Sequence, residues 1–334
     1  MYTLQGWSFF VNFAITIFIK RQNLLYMTHI LLSLLFPLSL LSCHNTEPKQ
    51  QANVPRKVTT EQNATPKEKD ADNILNQTIY TQADSTRVVE LLNMKPTGND
   101  VLFYARKFKG IPYVASTLEV ADPEQLVVNL RELDCTTLVE TTLALVLTKR
   151  QQSNSFADYC HNLQRLRYWG GQMNGYLSRL HYFTWWWHNN KDKGLIQEVK
   201  IPNQYTSVIN VQNNYMSTHP DKYKFLKGHS ERVDSIAHLE TRYNGPDGRY
   251  LTEQYTGLSK KELSSIHDGD LIAIVTTKKG IDYSHLGFAV WGKDGKLHLL
   301  NASSIHHKVV EEPKTLRQYL KEHPSSIGIR LWRM

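Results

Sequence analysis

The chain has 334 residues, of which 41% are hydrophobic and 21% charged, a globular composition that excludes collagen-like and coiled-coil proteins. The formal net charge is +8, but the basic residues are scattered along the chain. No zinc-finger, helix-turn-helix or RNA-recognition pattern is present, so we expect no nucleic-acid partner.

The first 43 residues have the pattern of a targeting segment. The apolar run 30–42, ILLSLLFPLSLLS, is short for a membrane span, and its ending at Cys43 resembles a bacterial lipoprotein signal, in which that cysteine is lipidated. Met27 is an alternative start, which would make 1–26 an upstream extension. A plain signal peptide, or an anchor formed by 7–19, is the competing interpretation. Either way we expect export, and the lipoprotein interpretation predicts a lipid-anchored protein facing the periplasm or cell envelope.

Residues 44–75 are polar, rich in Lys, Glu, Gln, Asn, Thr and Pro, and without periodicity, which predicts a disordered linker. No second break follows, so we expect one monomeric domain over 76–334. Helical periodicity is present at 83–95, 99–109, 130–150 and 155–168, whereas the C-terminal part reads as strands at 269–278, 284–304, 306–312 and 326–334. Helices first and an antiparallel sheet later predict an α+β fold.

Cys135 begins the apolar stretch CTTLVETTLALVLTKR, directly after Asp134. Asp134 is a favourable N-cap, which would place the thiol at the positive end of a helix, where thiolates are stabilised and cysteine pKa values fall. The competing interpretation is an ordinary buried cysteine. Cys43, Cys135 and Cys160 do not form a disulfide framework, although a single bridge between the last two stays open.

His285 is the histidine that the strand pattern favours as a catalytic base. In HLGFAVW, alternation places His285 on one face with Gly287 and Ala289, and these small residues would let another element, such as the start of the Cys135 helix, approach closely. A three-residue loop at 293–295, with Gly295 left-handed, would then pair the next strand so that Asn301 lies diagonal to His285. A two-residue loop would turn Asn301 to the opposite face.

These residues predict a nucleophile, a base and an orienting group. The Cys135 sulfur would attack a carbonyl, His285 would take the thiol proton and later protonate the leaving amine, and backbone N–H groups at the helix start would hold the oxyanion. Asn301 would fix the imidazole tautomer, unless it is simply a polar residue at a strand end.

Other candidate sites are weaker. Trp185, Trp186 and Trp187 could form a stacking platform for sugar or peptide, but three adjacent tryptophans more often fill a core. The pair His306–His307 has no partner at ligand spacing, and GGQMNG at 170–175 lacks the Lys-Ser/Thr of a phosphate loop. We therefore expect neither a metal nor another cofactor.

Several motifs, in order along the chain, resemble one family. GIPYV (110–114), LDCTTLVE (133–140), SRLHYF (178–183), SHLGFAVW (284–291) and LLNASS (299–304) resemble the N-acetylmuramoyl-L-alanine amidase-like branch of the NlpC-type papain-like cell-wall hydrolases. The resemblance covers roughly 88–333. It departs from the branch at Asn301, where His is more common, and at Trp185, where Asp is more common.

The resemblance implies a papain-like α+β fold and a triad of Cys135, His285 and Asn301. Its long spacing between cysteine and histidine implies a pocket-forming insertion at about 155–265. It implies an exported amidase that cleaves between N-acetylmuramic acid and L-alanine of peptidoglycan fragments. The alternatives are an endopeptidase cutting after D-Glu of the stem peptide and an inactive muropeptide-binding lipoprotein. The expected substrate-binding residues are Tyr113, Asp134, Thr136, Arg179, Tyr182, Ser284 and Ser303.

Overall fold

The computed structural model describes residues 66–334. The α-helices span Pro66–Asn76, Gln82–Asn93, Asp100–Arg106, Cys135–Arg150, Phe156–Arg167, Phe183–Asp192, Tyr215–Thr218, Ser230–Arg242 and Leu316–Lys321. The strands are β1 (Thr78–Ile79), β2 (Leu126–Val127), β3 (Gln197–Glu198), β4 (Thr206–Val211), β5 (Gly245–Thr252), β6 (Leu271–Thr276), β7 (Tyr283–Trp291), β8 (Leu297–Ser303), β9 (Lys308–Glu311) and β10 (Ser326–Arg333). The expected signal segment with Cys43, and the linker up to residue 65, lie outside the described residues. No helix within 66–334 has the length and apolarity that a membrane span requires.

The expected linker boundary at residue 75 is wrong. Pro66–Asn76 is helical, and Ile74 on this helix is 4% exposed. Ala71 and Leu75 pack against the same core. Residues 71, 74 and 75 have helical spacing, so this short apolar stripe attaches the segment to the domain.

An antiparallel sheet forms the centre of the domain. Its strands are ordered β4-β5-β10-β6-β7-β8-β9, and β3 pairs with β10 beside them. The predicted α+β class is thus confirmed. Strands β4 and β5 are additions to the expected sheet, since both lie in the segment 155–265.

The two faces of the sheet pack in different cores. Leu286, Phe288 and Val290 of β7 share one core with the Cys135–Arg150 helix. Ala289 and Trp291 belong to a second core, which includes residues of the Leu316–Lys321 helix. The expectation that the small-residue face of β7 receives the Cys135 helix is therefore wrong, because the apolar side chains on the opposite face supply the larger contact surface.

The hairpin between β7 and β8 has the predicted three-residue loop. The Gly292 N–H donates to the Lys296 carbonyl over 2.8 Å, and Gly295 is left-handed with φ 70°. The ladder runs from Trp291 opposite Leu297 to Phe288 opposite Leu300, which is the expected register. A Cβ at Gly287 would lie 2.6 Å from the Leu300 carbonyl oxygen. Glycine at this position therefore allows strand β8, rather than the Cys135–Arg150 helix, to approach β7 closely.

The tryptophan triplet lies in the core. Trp185, Trp186 and Trp187 are 0%, 2% and 3% exposed, which confirms the core interpretation over a stacking platform. The Trp186 indole N–H donates to Glu140. Glu140 also accepts a 2.7 Å bond from the Arg167 Nε, and both ionic side chains are almost fully buried. This pair joins the Cys135–Arg150 and Phe156–Arg167 helices.

Replacing Arg167 by Leu should lower the free energy of unfolding by about 3–5 kcal/mol, because Glu140 would stay buried without its partner. Arg87→Leu is the matched control, since its pair with Glu90 is exposed and should be worth about 1 kcal/mol or less. Urea denaturation measures the loss of unfolding free energy in both variants, and an unchanged m-value shows that the two-state comparison with the wild type is valid. Equal losses in the two variants would contradict the assigned importance of the buried pair.

Candidate active site

Cys135 is the first residue of its helix, as predicted. Asp134 is the N-cap: its carboxylate accepts from the Thr137 N–H over 2.7 Å, and the Thr137 hydroxyl accepts from the Asp134 N–H over 2.8 Å. The N–H groups of the first turn have no intrahelical partners. The Cys135 thiol is unpaired and partly exposed, whereas Cys160 is unpaired and buried.

Cys135 and His285 line one cavity of about 220 Å³. Segment 155–265 contributes one wall of it, through His181, Tyr182, Phe183, Met216 and Tyr223. The remaining lining residues are Glu119, Thr136, Ile281, Asp282, Tyr283, Ser284 and Leu286. The cavity thus brings together the predicted nucleophile, the predicted base and a wall from the segment predicted to form the pocket.

Burial, and after it the neighbouring Asp134 carboxylate, raise the pKa of the Cys135 thiol to about 12. Hydrogen bonds from the Leu286 N–H and from Thr136 act in the opposite direction. The expected lowering of this pKa is therefore wrong, because loss of solvation and the Asp134 carboxylate outweigh the hydrogen bonds that favour the thiolate. The Cys135 side chain is therefore a thiol at rest, and it would need a base to remove its proton before it could act as a nucleophile.

His285 and Asn301 meet across the hairpin. The His285 Nε2 lies 2.8 Å from the Asn301 Oδ1. Since an amide oxygen can only accept, Nε2 carries the proton and Nδ1 is left with a free lone pair. Burial lowers the pKa of His285, although Asn301 and Glu312 oppose this shift. The imidazole is therefore neutral and can act as a base at neutral pH.

The hydrogen bonds continue beyond Asn301 into a part that sequence reasoning missed. The Asn301 Nδ2 donates to Glu312 Oε1 over 2.9 Å. The other carboxylate oxygen, Oε2, lies 3.1 Å from the His306 Nε2. Glu312 directly follows β9, and VVEE has no apolar–polar alternation that would predict an inward-pointing side chain at this position.

His181 is a second residue that the sequence reasoning missed. Its Nε2 lies 2.9 Å from the Tyr176 carbonyl oxygen, so Nε2 donates and Nδ1 is an acceptor. Burial and the nearby Arg179 lower its pKa to about 3. The only available signal was its place in SRLHYF, one histidine among 14 in the chain.

The expected substrate-binding residues divide into three groups. Thr136, Tyr182 and Ser284 line the cavity. Asp134 and Tyr113 lie beside Cys135: Asp134 caps the helix, and Tyr113 is near enough to be affected by both residues. Burial raises the pKa of the Tyr113 phenol to about 12, with smaller contributions from Cys135 and Asp134.

Arg179 and Ser303 are not brought to the cavity. Arg179 is 6% exposed and is held between the carboxylates of Glu119 and Glu124, at 2.5 and 3.3 Å. Ser303 is 1% exposed, and its hydroxyl accepts from the His306 N–H. Arg179 instead fixes Glu119, which lines the cavity.

Family comparison links this cavity to cell-wall enzymes. The family model described as AmiA-like, N-acetylmuramoyl-L-alanine amidase-like, matches residues 104–329, more than half of the chain. The matched region includes Cys135, His285, Asn301 and Glu312. The chain matches none of the curated proteins with which it was compared.

Solved structures similar to this chain include one with the same amidase description. A crystal structure described as an N-acetylmuramoyl-L-alanine amidase from Bacteroides uniformis is 40% identical, covers 70% of this chain and 97% of its own, and gives a TM-score of 0.65. A Bacteroides fragilis protein with the provisional name of a xylanase is 41% identical over 69% of this chain and 99% of its own, with a TM-score of 0.64. A Legionella pneumophila protein, 23% identical, covers 78% of this chain and 96% of its own, and its TM-score of 0.55 shows likeness of fold alone.

Alkylation of Cys135 by iodoacetamide should keep accelerating between about pH 6 and pH 9, because the raised thiol pKa leaves the reactive thiolate scarce throughout this range. Mass spectrometry of the Cys135 peptide at timed intervals gives the rate, and the Cys160 peptide is the internal control for a buried thiol. A pH-independent rate down to pH 6 would reveal a preformed thiolate and contradict this assignment.

Proposed function

The chain belongs to the N-acetylmuramoyl-L-alanine amidase-like family, and from this premise we propose that it is a cysteine amidase with a papain-like, NlpC-type fold. It cleaves the amide bond between N-acetylmuramic acid and L-alanine in peptidoglycan fragments. The observation that carries the proposal is the shared cavity of Cys135 and His285, together with the 2.8 Å contact that leaves the His285 Nδ1 free as a base.

In the first step His285 Nδ1 takes the Cys135 proton as the sulfur attacks the lactyl carbonyl carbon of the muramoyl group. The tetrahedral intermediate collapses, the imidazolium protonates the alanine nitrogen, and the stem peptide leaves as an amine. A thioester between Cys135 and the muramoyl group remains. His285 then removes a proton from water, which attacks the thioester and regenerates the thiol.

The oxyanion of both tetrahedral intermediates forms beside the first turn of the Cys135–Arg150 helix. N–H groups at a helix start point outward without intrahelical partners, and they stabilise negative charge where it develops. The phenol of Tyr113, protonated because its pKa is raised to about 12, is the nearby side-chain donor. The reaction thus starts from a neutral thiol and imidazole and forms charge only where the site can stabilise it.

The amidase reaction is favoured over stem-peptide endopeptidase activity. The Bacteroides uniformis structure described as an amidase is 40% identical to this chain. Trp185, at which the chain departs from the family pattern, is fully buried and does not line the cavity. The intact pair of Cys135 and His285 also supports an enzyme over an inactive muropeptide receptor.

The proposal includes the location of the enzyme. Cys43 follows the apolar run 30–42 and is the proposed lipidation site of an exported lipoprotein. The domain that begins with the helix Pro66–Asn76 would then act on peptidoglycan fragments close to the membrane. Metabolic labelling with a fatty acid, compared between the full chain and Cys43→Ala, tests this location.

Cys135→Ala and His285→Ala should each lower kcat by at least about 10³-fold, and Asn301→Ala by about 10²-fold, because the nucleophile and base form bonds whereas Asn301 only orients. Mass spectrometry of muropeptides incubated with each protein detects a released stem peptide that begins with L-Ala. A stub of L-Ala–D-Glu on the sugar would establish the endopeptidase instead. Wild-type turnover by Cys135→Ala would overturn the mechanism.

The kcat/KM of the wild type should fall on the acid side with a midpoint below 6.5, the ordinary pKa of histidine, since burial lowers the pKa of His285. The base must be neutral, and a lowered pKa keeps it neutral to a more acidic pH, so activity is lost only as pH falls through that lower value. No alkaline loss is expected before about pH 9. An acid midpoint above 6.5 would contradict the assigned neutral imidazole.

A further inference from the structure

Glu312 is buried and binds Asn301 on the side away from His285, outside the proposed triad. Its side chain is 2% exposed, and Asn301 is 0% exposed. Oε1 accepts from the Asn301 Nδ2 over 2.9 Å, and Oε2 faces the His306 Nε2 at 3.1 Å. The Glu312 N–H is fixed by a 2.8 Å bond to the Leu299 carbonyl. The carboxylate is therefore held in one place by its neighbours on β8 and on the loop after it.

The direction of each hydrogen bond in this series follows from Glu312. A carboxylate can only accept, so Asn301 must present its NH₂ group to Glu312 and its oxygen to His285. That oxygen can only accept, so His285 must carry its proton on Nε2. Without the carboxylate, the Asn301 amide could rotate by half a turn and donate to Nε2. His285 would then hold its proton on Nδ1 and lose the lone pair that accepts the thiol proton.

We propose that Glu312 is a positioning residue, whose carboxylate fixes the orientation of the Asn301 amide and thereby the tautomer of His285. The inference rests on the proposed cysteine mechanism, in which Nδ1 of His285 is the base. It also explains how Asn serves at position 301. An amide can present either its oxygen or its NH₂ group to His285, and the buried Glu312 carboxylate, which binds the NH₂ group, leaves only the oxygen for His285. Glu312 does not contact the cavity and acts only through Asn301.

Exchanging the two groups across their hydrogen bond tests the inference. Glu312→Gln keeps the shape but can both donate and accept, so kcat should fall about 10–100-fold with KM unchanged. Asn301→Asp alone places two carboxylates at hydrogen-bond distance and should also lose activity. In the double variant, the carboxylate introduced at position 301 accepts from His285 and from the amide introduced at position 312, and kcat should return to within a few-fold of the wild type.

Glu311→Gln is the matched control, because it removes a neighbouring carboxylate whose partner is the exposed Arg106. It should leave kcat unchanged. Wild-type kcat in Glu312→Gln, or a double variant no more active than the weaker single one, would overturn the inference.

Nitrogen-15 NMR of His285 reads the tautomer without any substrate, with His285→Gln used to assign the signal. The wild type and the double variant should show a proton on Nε2, and Glu312→Gln should show a population with the proton on Nδ1. An unchanged tautomer in Glu312→Gln would refute the positioning role even if no muropeptide were hydrolysed. A shifted tautomer in a protein without hydrolytic activity would refute the proposed function alone.

Discussion

The 2.8 Å hydrogen bond between His285 Nε2 and Asn301 Oδ1 is the interaction on which the proposed catalytic arrangement depends. It joins two adjacent strands, so it exists only in one register of the β7–β8 hairpin. The left-handed Gly295 sets that register, and Gly287 lets the strands approach. A slip of one residue would turn Asn301 to the opposite face and leave the imidazole without an orienting group.

The cysteine side of the site depends on a different balance. Burial opposes ionisation of Cys135 more strongly than the first turn of the helix favours it. Burial also keeps His285 neutral. In the proposed mechanism two neutral groups therefore face the substrate, and charge develops only during the reaction. A thiol that is mostly protonated at rest is also less exposed to oxidation than a thiolate.

Local sequence signals predicted the parts of the structure that depend on nearby residues. Asp134 as N-cap, the C-terminal strands and the hairpin loop follow from propensity, alternation and turn chemistry. Strands β4 and β5 were missed because Ser, Asn, Gly and Pro interrupt their patterns. The helix Pro66–Asn76 was missed because its apolar stripe is too short to stand out from a polar linker. The face of β7 that meets the Cys135 helix depends on the packing of distant elements, which alternation alone does not reveal.

The missed parts of the site have the same cause. Glu312 meets Asn301 only through the pairing of β8 with β9, and His181 lies near Cys135 only because segment 155–265 packs beside the helix start. Arg179 is enclosed by Glu119 and Glu124 and does not line the cavity. The proposed mechanism requires a covalent bond between Cys135 and the muramoyl group. Mass spectrometry of the Cys135 peptide from acid-quenched reactions tests for this bond directly. An N-acetylmuramoyl thioester should be present on Cys135 during turnover. Turnover without an adduct on Cys135, or an adduct that contains alanine, would contradict it.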